Sequence, residues 1–295
     1  MDPHNALLKA GKVAAEVRSD ALSLIEPGRR VIEICDYVRK SILKKGGKQA
    51  FPCNLDINDI AAHYTSPIND ETVIPEGALV KLDLGVHFDG YIADTAVTIC
   101  LNPDLKMQVE AAEAALDAAI GMVRDGVYAG DIGAAIEHTI HGRGFKPISN
   151  LTGHRMSRFV VHAGQSIPNV AHSRTQQLHT GDVYAIEPFT VPHNAAGLVQ
   201  DGPPSNIYRF MKKRKVNGDI AKKMLKYIQS EYRTLPFASR WVMEKFPSGS
   251  AEFIELLHSK CVDSYPQLVE KSRMPVAQAE HTVIVTEDGC LVTTA

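Results

Sequence analysis

The stretch that most constrains this 295-residue chain runs from Val80 to Ile99, two alternating segments on either side of Asp89-Gly90. An Asp-Gly pair readily takes the positive φ angles of a two-residue hairpin turn, so the flanks read as paired strands. With Asp89-Gly90 as the turn, Phe88 faces Tyr91, His87 faces Ile92, Gly85 faces Asp94 and Asp83 faces Ala96. Side chains alternate along a strand, which puts residues 83, 85 and 87 on one face with 92, 94 and 96. Asp83 and Asp94 are then diagonal neighbours, roughly 7–8 Å apart at the backbone. Val80, Leu82, Leu84, Val86, Val97 and Ile99 surround them. Two carboxylates in a half-buried sheet repel each other unless a shared proton, an Arg or Lys, or metal ions lie between them. Taken alone, the hairpin is equally consistent with an edge ribbon whose two Asp side chains are solvated.

Composition narrows the class. The chain is 44% hydrophobic and 22% charged, with a formal net charge of −2. That is an ordinary globular balance, and it argues against a dominant role on nucleic acid or on an anionic membrane. The five cysteines (Cys35, Cys53, Cys100, Cys261, Cys290) show no zinc-finger spacing and are odd in number, which points to free thiols in a reducing compartment. No signal-peptide core and no membrane-spanning run is present, so a cytoplasmic protein is expected.

Helical spacing of apolar residues predicts helices over Ala6 to Ile25, Val31 to Leu43, Leu105 to Val123 and Ile132 to Gly142. An extended stretch from Gln49 ends at His63. Asn150 to His154 reads as a turn, Arg158 to Gly164 as a short strand, and Gly181 to Val191 as another strand. The last strands are expected at Val276 to Val285 and Gly289 to Thr294. Two short echoes link the halves. Gly77 to Asp83 and Gly181 to Glu187 each place a carboxylate six residues after a turn glycine, and Ala93-Asp94-Thr-Ala-Val97 matches Ala279-Glu280-His-Thr-Val283. They suggest two pseudo-symmetric halves around one site. Residues 198–270 form the insertion that separates the second pair, and read as a basic, helical subdomain anchored by Trp241 and Phe237. Its run Lys212, Lys213, Arg214, Lys215 reads as a solvated face, since no base-reading pattern accompanies it.

At strand ends and turns stand Asp83, Asp94, His154, Glu187 and Glu280. Four carboxylates and one imidazole suit two divalent ions such as Mn, Fe, Co or Zn better than a structural zinc, which favours thiolates. Such a pair binds a bridging water, lowers its pKa and polarises a carbonyl. Glu187 or Glu280 could shuttle the proton, while His63 and His162 could stabilise a tetrahedral intermediate or fix the substrate. Each also has a plainer reading, as a turn histidine, a strand-end glutamate or a satisfied interior histidine.

The motifs Ala62-His63-Tyr-Thr, Lys81-Leu-Asp83-Leu-Gly, Ile92-Ala-Asp94-Thr-Ala, Thr152-Gly-His154, His162-Ala-Gly, Ala185-Ile-Glu187-Pro-Phe and Glu280-His-Thr resemble, in order, those of type II methionine aminopeptidases. So do Gln49-Ala-Phe51-Pro52 and Thr234-Leu-Pro-Phe-Ala-Ser-Arg-Trp241. The resemblance covers essentially the whole chain and is similar to the archaeal branch, which lacks a charged N-terminal extension. It implies an α+β pita-bread fold: one catalytic domain over 1–295, two pseudo-symmetric halves around a central antiparallel sheet, and the insertion at 198–270. It also implies removal of initiator methionine from nascent polypeptides, preferably before a small second residue, near the ribosome and by a monomer. The resemblance assigns Asp94 and Glu280 to bridge two divalent ions (Co, Mn, Fe or Zn), Asp83 to one ion, and His154 and Glu187 to the other. It assigns His162 to the scissile carbonyl, makes His63 the histidine that covalent inhibitors alkylate, and puts Phe51, Pro52 and Val161 in the methionine pocket. Ala279 departs from the aromatic residue usual before the final glutamate. Two alternatives are an X-Pro peptidase of the same fold and a non-catalytic binding protein of the proliferation-associated type. The insertion and the absence of a large N-terminal domain weigh against the first, and the complete ligand set against the second.

Overall fold

Asp2 and Pro3 start the first helix. The Asp2 carboxylate accepts the Asn5 N–H at 3.1 Å, and Pro3 occupies a first-turn position that needs no donor. In the computed structural model, which describes residues 2–173 and 175–295, this helix is α1 (Pro3–Leu22) and is followed by α2 (Val31–Lys44). The buried stripe of α1 is largely alanine (Ala6, Ala10, Ala14, Ala21), which lets the helix lie close on the sheet beneath it. That sheet holds β1 (Lys48–Ile57), β3 (Leu79–Phe88) and β4 (Tyr91–Cys100) in the order β1-β3-β4, with the short β2 (Ile60–Ala62) between β1 and β3 in the chain. Hairpin pairing is as expected: Phe88 faces Tyr91, Gly85 faces Asp94, and Asp83 faces Ala96. Every residue of β3 is buried, because helices cover one face of the sheet and the rest of the molecule covers the other.

The second half repeats the plan with a helix pair, α3 (Lys106–Met122) and α4 (Ala129–Gly142), over short antiparallel strands. These are β5 (Phe145–Pro147), β6 (Thr152–Met156), β7 (Ser166–Pro168), β8 (Val183–Ile186) and β9 (Phe189–Pro192). The segment 199–270 contributes β10 (Val199–Phe210), α5 (Asp219–Glu231), β11 (Phe237–Ala238), α6 (Ser239–Lys245), α7 (Ser250–His258) and β12 (Val262–Glu270). The chain closes with β13 (Ala277–Gln278), β14 (His281–Val285) and β15 (Cys290–Val292).

Four local expectations need correction. His154 lies inside β6, not in a turn. Residues 158–164 are not a strand, since Phe159 (φ 59°) and Gly164 (φ 86°) are left-handed and bend the chain. The expected strand over 181–191 is two, in different sheets, broken at Glu187-Pro188, where proline cannot donate to a ladder. The insertion is not simply helical: its long strands β10 and β12 form the order β11-β10-β12-β2 and so tie it to the first half. Its helices bury a separate core that includes Trp241 and Phe237, as their spacing suggested.

The two echoed segments meet. Glu280 N–H donates to Ala96 C=O at 3.0 Å, joining β4 to the turn between β13 and β14. On either side of this bridge, Thr282 Oγ1 accepts Asp94 N–H and donates to Asp94 C=O, while Thr98 Oγ1 does the same with Gln278.

Candidate metal centre and substrate cavity

Strand alternation on the hairpin points Asp83 and Asp94 to the face away from the helices. The bridge at Ala96 brings Glu280 beside them, the Glu187-Pro188 break turns Glu187 inward, and β6 delivers His154. All five line one cavity. Asp94, His154 and Glu280 each offer a ligand atom, and those atoms lie within 4.8 Å of one another. His154 Nε2 is 3.6 Å from Asp94 Oδ2 and 3.5 Å from Glu187 Oε1.

The protonation of this group follows from its contacts. His154 Nδ1 lies 2.8 Å from the Val161 carbonyl, which can only accept, so the ring proton is on Nδ1 and the Nε2 lone pair faces the carboxylates. Burial, with neighbouring His162 adding to it, lowers the His154 pKa to about 3 and keeps the ring neutral. Burial raises the Asp83 carboxyl to about 7. Asp94, Glu187 and Glu280 are pushed well above the ordinary carboxylate range by burial first and then by their charged neighbours. One oxygen of Asp83 and one of Asp94 are buried without a hydrogen-bond partner among the described residues. Such a set, rich in acceptors and poor in donors, fits divalent cations with oxygen and nitrogen ligands. The tautomer of His154, set by a carbonyl on its far nitrogen, is the one a metal requires.

Around this centre lie the other expected residues. His63 follows β2 in a left-handed conformation (φ 73°); its Nδ1–H donates to Pro266 C=O at 3.2 Å, and its ring meets Tyr265 edge-on at 5.5 Å between centroids. Burial, then the charge of His162, lowers its pKa to about 4. His162 leans on the His154 ring at 4.4 Å, and burial lowers its pKa as well. Phe51 and Val161 line the apolar wall. Pro52 does not. A bulge between Phe51 and Asn54 puts two residues of β1 where simple alternation allows one, so Phe51 and Asn54 both face the cavity and Pro52 is buried away from it.

Several residues in the cavity wall or hydrogen-bonded to its acids were missed from the sequence. Asn54 donates to Asp83 Oδ2 at 3.2 Å, and Gln278 Nε2 lies 3.4 Å from Glu187 Oε2 and 3.5 Å from Glu280 Oε2. The Asn54 contact depends on the bulge, which leaves no periodic trace. Ile207 and Tyr265 stand on β10 and β12, the strands hidden in a segment read as helical. His281, the residue after Glu280, points the other way: its Nδ1 meets Thr294 Oγ1 at 2.8 Å.

Comparison with known proteins agrees with this geometry. Residues 5–287 match the metallopeptidase family M24. The methionine aminopeptidase of Methanothermobacter thermautotrophicus is 47% identical over 292 residues, covering 97% of each chain. Among solved structures, a thermophilic Arx1 superposes with a TM-score of 0.83 at 18% identity, over 99% of this chain and 90% of that one. The methionine aminopeptidase of Thermotoga maritima gives 0.71 at 21% identity, over 98% and 95%. At such identities the structural likeness speaks for the fold alone, and it is the pita-bread fold.

Proposed function

The chain belongs to the metallopeptidase family M24 and is a metal-dependent aminopeptidase that removes the initiator methionine, and we propose that it does so with two divalent ions held between its halves. The observation that carries this reading is the setting of His154. A neutral imidazole aims its Nε2 lone pair at carboxylate oxygens 3.5 and 3.6 Å away in a buried cavity. Groups that all accept repel one another at that range, and cations relieve every pair at once. In this reading Asp94 and Glu280 would be shared between the ions, Asp83 would hold one, and His154 and Glu187 would hold the other. Cobalt, manganese, iron or zinc suits the donor set. When bound, the ions supply Lewis acidity, polarising the scissile carbonyl and lowering the pKa of the attacking water.

The remaining work falls to this chain's own groups. Glu187 takes the proton from water and passes it to the departing amine. His162, neutral by burial, donates an N–H to the carbonyl oxygen as charge develops there. His63, with Nδ1–H committed to Pro266, keeps Nε2 as an acceptor for the substrate. Phe51, Val161, Ile207, Pro236 and Tyr265 form the wall for the methionine side chain. A small second residue suits the confined cavity. The substrates are the N-termini of nascent polypeptides, met in the cytoplasm near the ribosome by a monomeric enzyme.

Protein purified without added metal tests this. Elemental analysis and stepwise reconstitution on Met-Ala tripeptides should give full methionine release only after two equivalents per chain. Full activity at one equivalent would remove the dinuclear part. Cleavage of Ala-Pro bonds with no free methionine would remove the substrate assignment.

A further inference from the structure

Gly85 sits at the centre of the three-stranded sheet, opposite Phe51 on β1 and opposite Asp94 on β4. Its φ lies outside the left-handed region, so no turn requires a glycine here. Glycine in a strand interior loses stability relative to residues with side chains, and usually marks a place where something else approaches closely. Here that is the Phe51 ring. A β-carbon on residue 85 would lie 2.2 Å from Phe51 Cε1, 2.6 Å from Cδ1 and 2.9 Å from Cζ. The ring occupies the space a side chain at 85 would fill, an aromatic covering a strand glycine.

We propose that Gly85 determines specificity: by lacking a side chain it lets Phe51 lie back against the sheet, and so sets the depth of the pocket for the substrate's first side chain. Carbon atoms pack at roughly 3.5–4 Å, so a methyl at 85 forces the ring edge to move by more than about 1 Å. Backward movement is opposed. β1 is paired to β3, and Phe51 belongs to a packed cluster with Ala50, Met156 and Leu235. Empty volume lies on the cavity side, where Phe51 is already part of the wall. The ring therefore moves toward the substrate, and a long, unbranched first side chain loses room while a short one does not. Gly85 pairs with the backbone of Asp94 but brings no side chain of its own into the cavity, so metal content measured beside selectivity separates pocket size from metal binding. The inference rests on reading the cavity as a methionine pocket.

The test compares kcat/KM of the metal-loaded full chain and its Gly85→Ala variant on X-Ala-Ser tripeptides, with X as methionine, norleucine, norvaline or 2-aminobutyrate. A single methylene in an apolar pocket changes specificity by roughly 10–200-fold. Gly85→Ala should lose about tenfold or more on methionine and norleucine and less than about twofold on 2-aminobutyrate, with metal content unchanged. Adding Phe51→Leu to that variant should restore part of the methionine rate, because the smaller side chain vacates the ring position. An equal loss on all four peptides, or no loss, overturns the proposal. Should Gly85→Ala fold poorly, Phe51→Leu alone decides: a deeper pocket raises ethionine over methionine severalfold, and an unchanged ratio overturns the proposal. If the parent chain releases no residue from any of these peptides but splits X-Pro bonds, the methionine reading fails on its own account.

Discussion

The smallest decisive detail is which nitrogen of His154 carries a proton. Because Val161 C=O takes Nδ1–H, the Nε2 lone pair is left among carboxylates that burial and mutual repulsion already hold above their ordinary pKa. Asp94 stands at the seam between the halves, its backbone N–H and C=O both held by the Thr282 hydroxyl. Asp94→Asn keeps the shape and removes the charge. It should abolish methionine release and lower metal content together, by at least about 10²-fold in rate; elemental analysis with a peptide assay checks both, and retained activity would exclude a bridging role. His162→Ala should differ in kind. Loss of one donor to a developing oxyanion costs about 10²–10³ in kcat, and both ions should stay bound. Metal loss in this variant would make His162 a ligand instead.

At the scale of elements, the hairpin shows how a turn residue couples to pH. His87 Nδ1 accepts the Gly90 N–H at 3.1 Å, which stitches β3 to its own turn. Burial lowers the His87 pKa to about 4, against an ordinary value of 6.5. Between those values the unfolded chain binds a proton that the folded hairpin does not, so the contribution of His87 is fully present above pH 6.5 and is lost as pH falls toward 4. His87→Gln retains a side-chain acceptor and cannot titrate. Urea midpoints at pH 7 and pH 5 should therefore fall less with pH in His87→Gln than in the parent chain; equal falls would mean that His87 is not held neutral. β1 carries a different lesson. Its bulge turns Asn54 toward Asp83 and Pro52 away from the cavity, a choice made by pairing with β3 and not by the alternation of its own residues.

The whole molecule is two helix-covered halves whose acidic residues face each other across one seam. Asp83 and Asp94 come from the first half, His154, Glu187 and Glu280 from the second. Metal bound there would join the halves, and a ligand present at a hundred times its dissociation constant stabilises the folded state by about 2.7 kcal/mol. Chelation should therefore lower the Tm by several degrees, reversibly on adding metal back. In Asp94→Asn the same treatment should move the Tm much less; a parent Tm indifferent to chelation would argue against metal across the seam.

How far the sequence reached depended on whether a feature was local. The hairpin register from Leu79 to Cys100 followed from one Asp-Gly turn and period-two alternation, because turn geometry and pleat act over a few residues. The helices α1 to α4 followed from their apolar stripes, with ends a few residues adrift. That Asp83, Asp94, His154, Glu187 and Glu280 belong together was legible because acidic groups amid apolar strands demand compensation, and all five line one cavity. What stayed hidden depended on distant partners. The long strands β10 and β12 take their form from each other and from β2, and their Pro-containing, polar sequences carry little strand signal of their own. The bend at Phe159 and the strand position of His154 likewise depend on neighbours far along the chain. Chemistry of the donor set was written in residue identity; the cavity around it, with Tyr265 and Ile207 as walls and Phe51 resting on Gly85, came only from packing, since no residue encodes the space left by another.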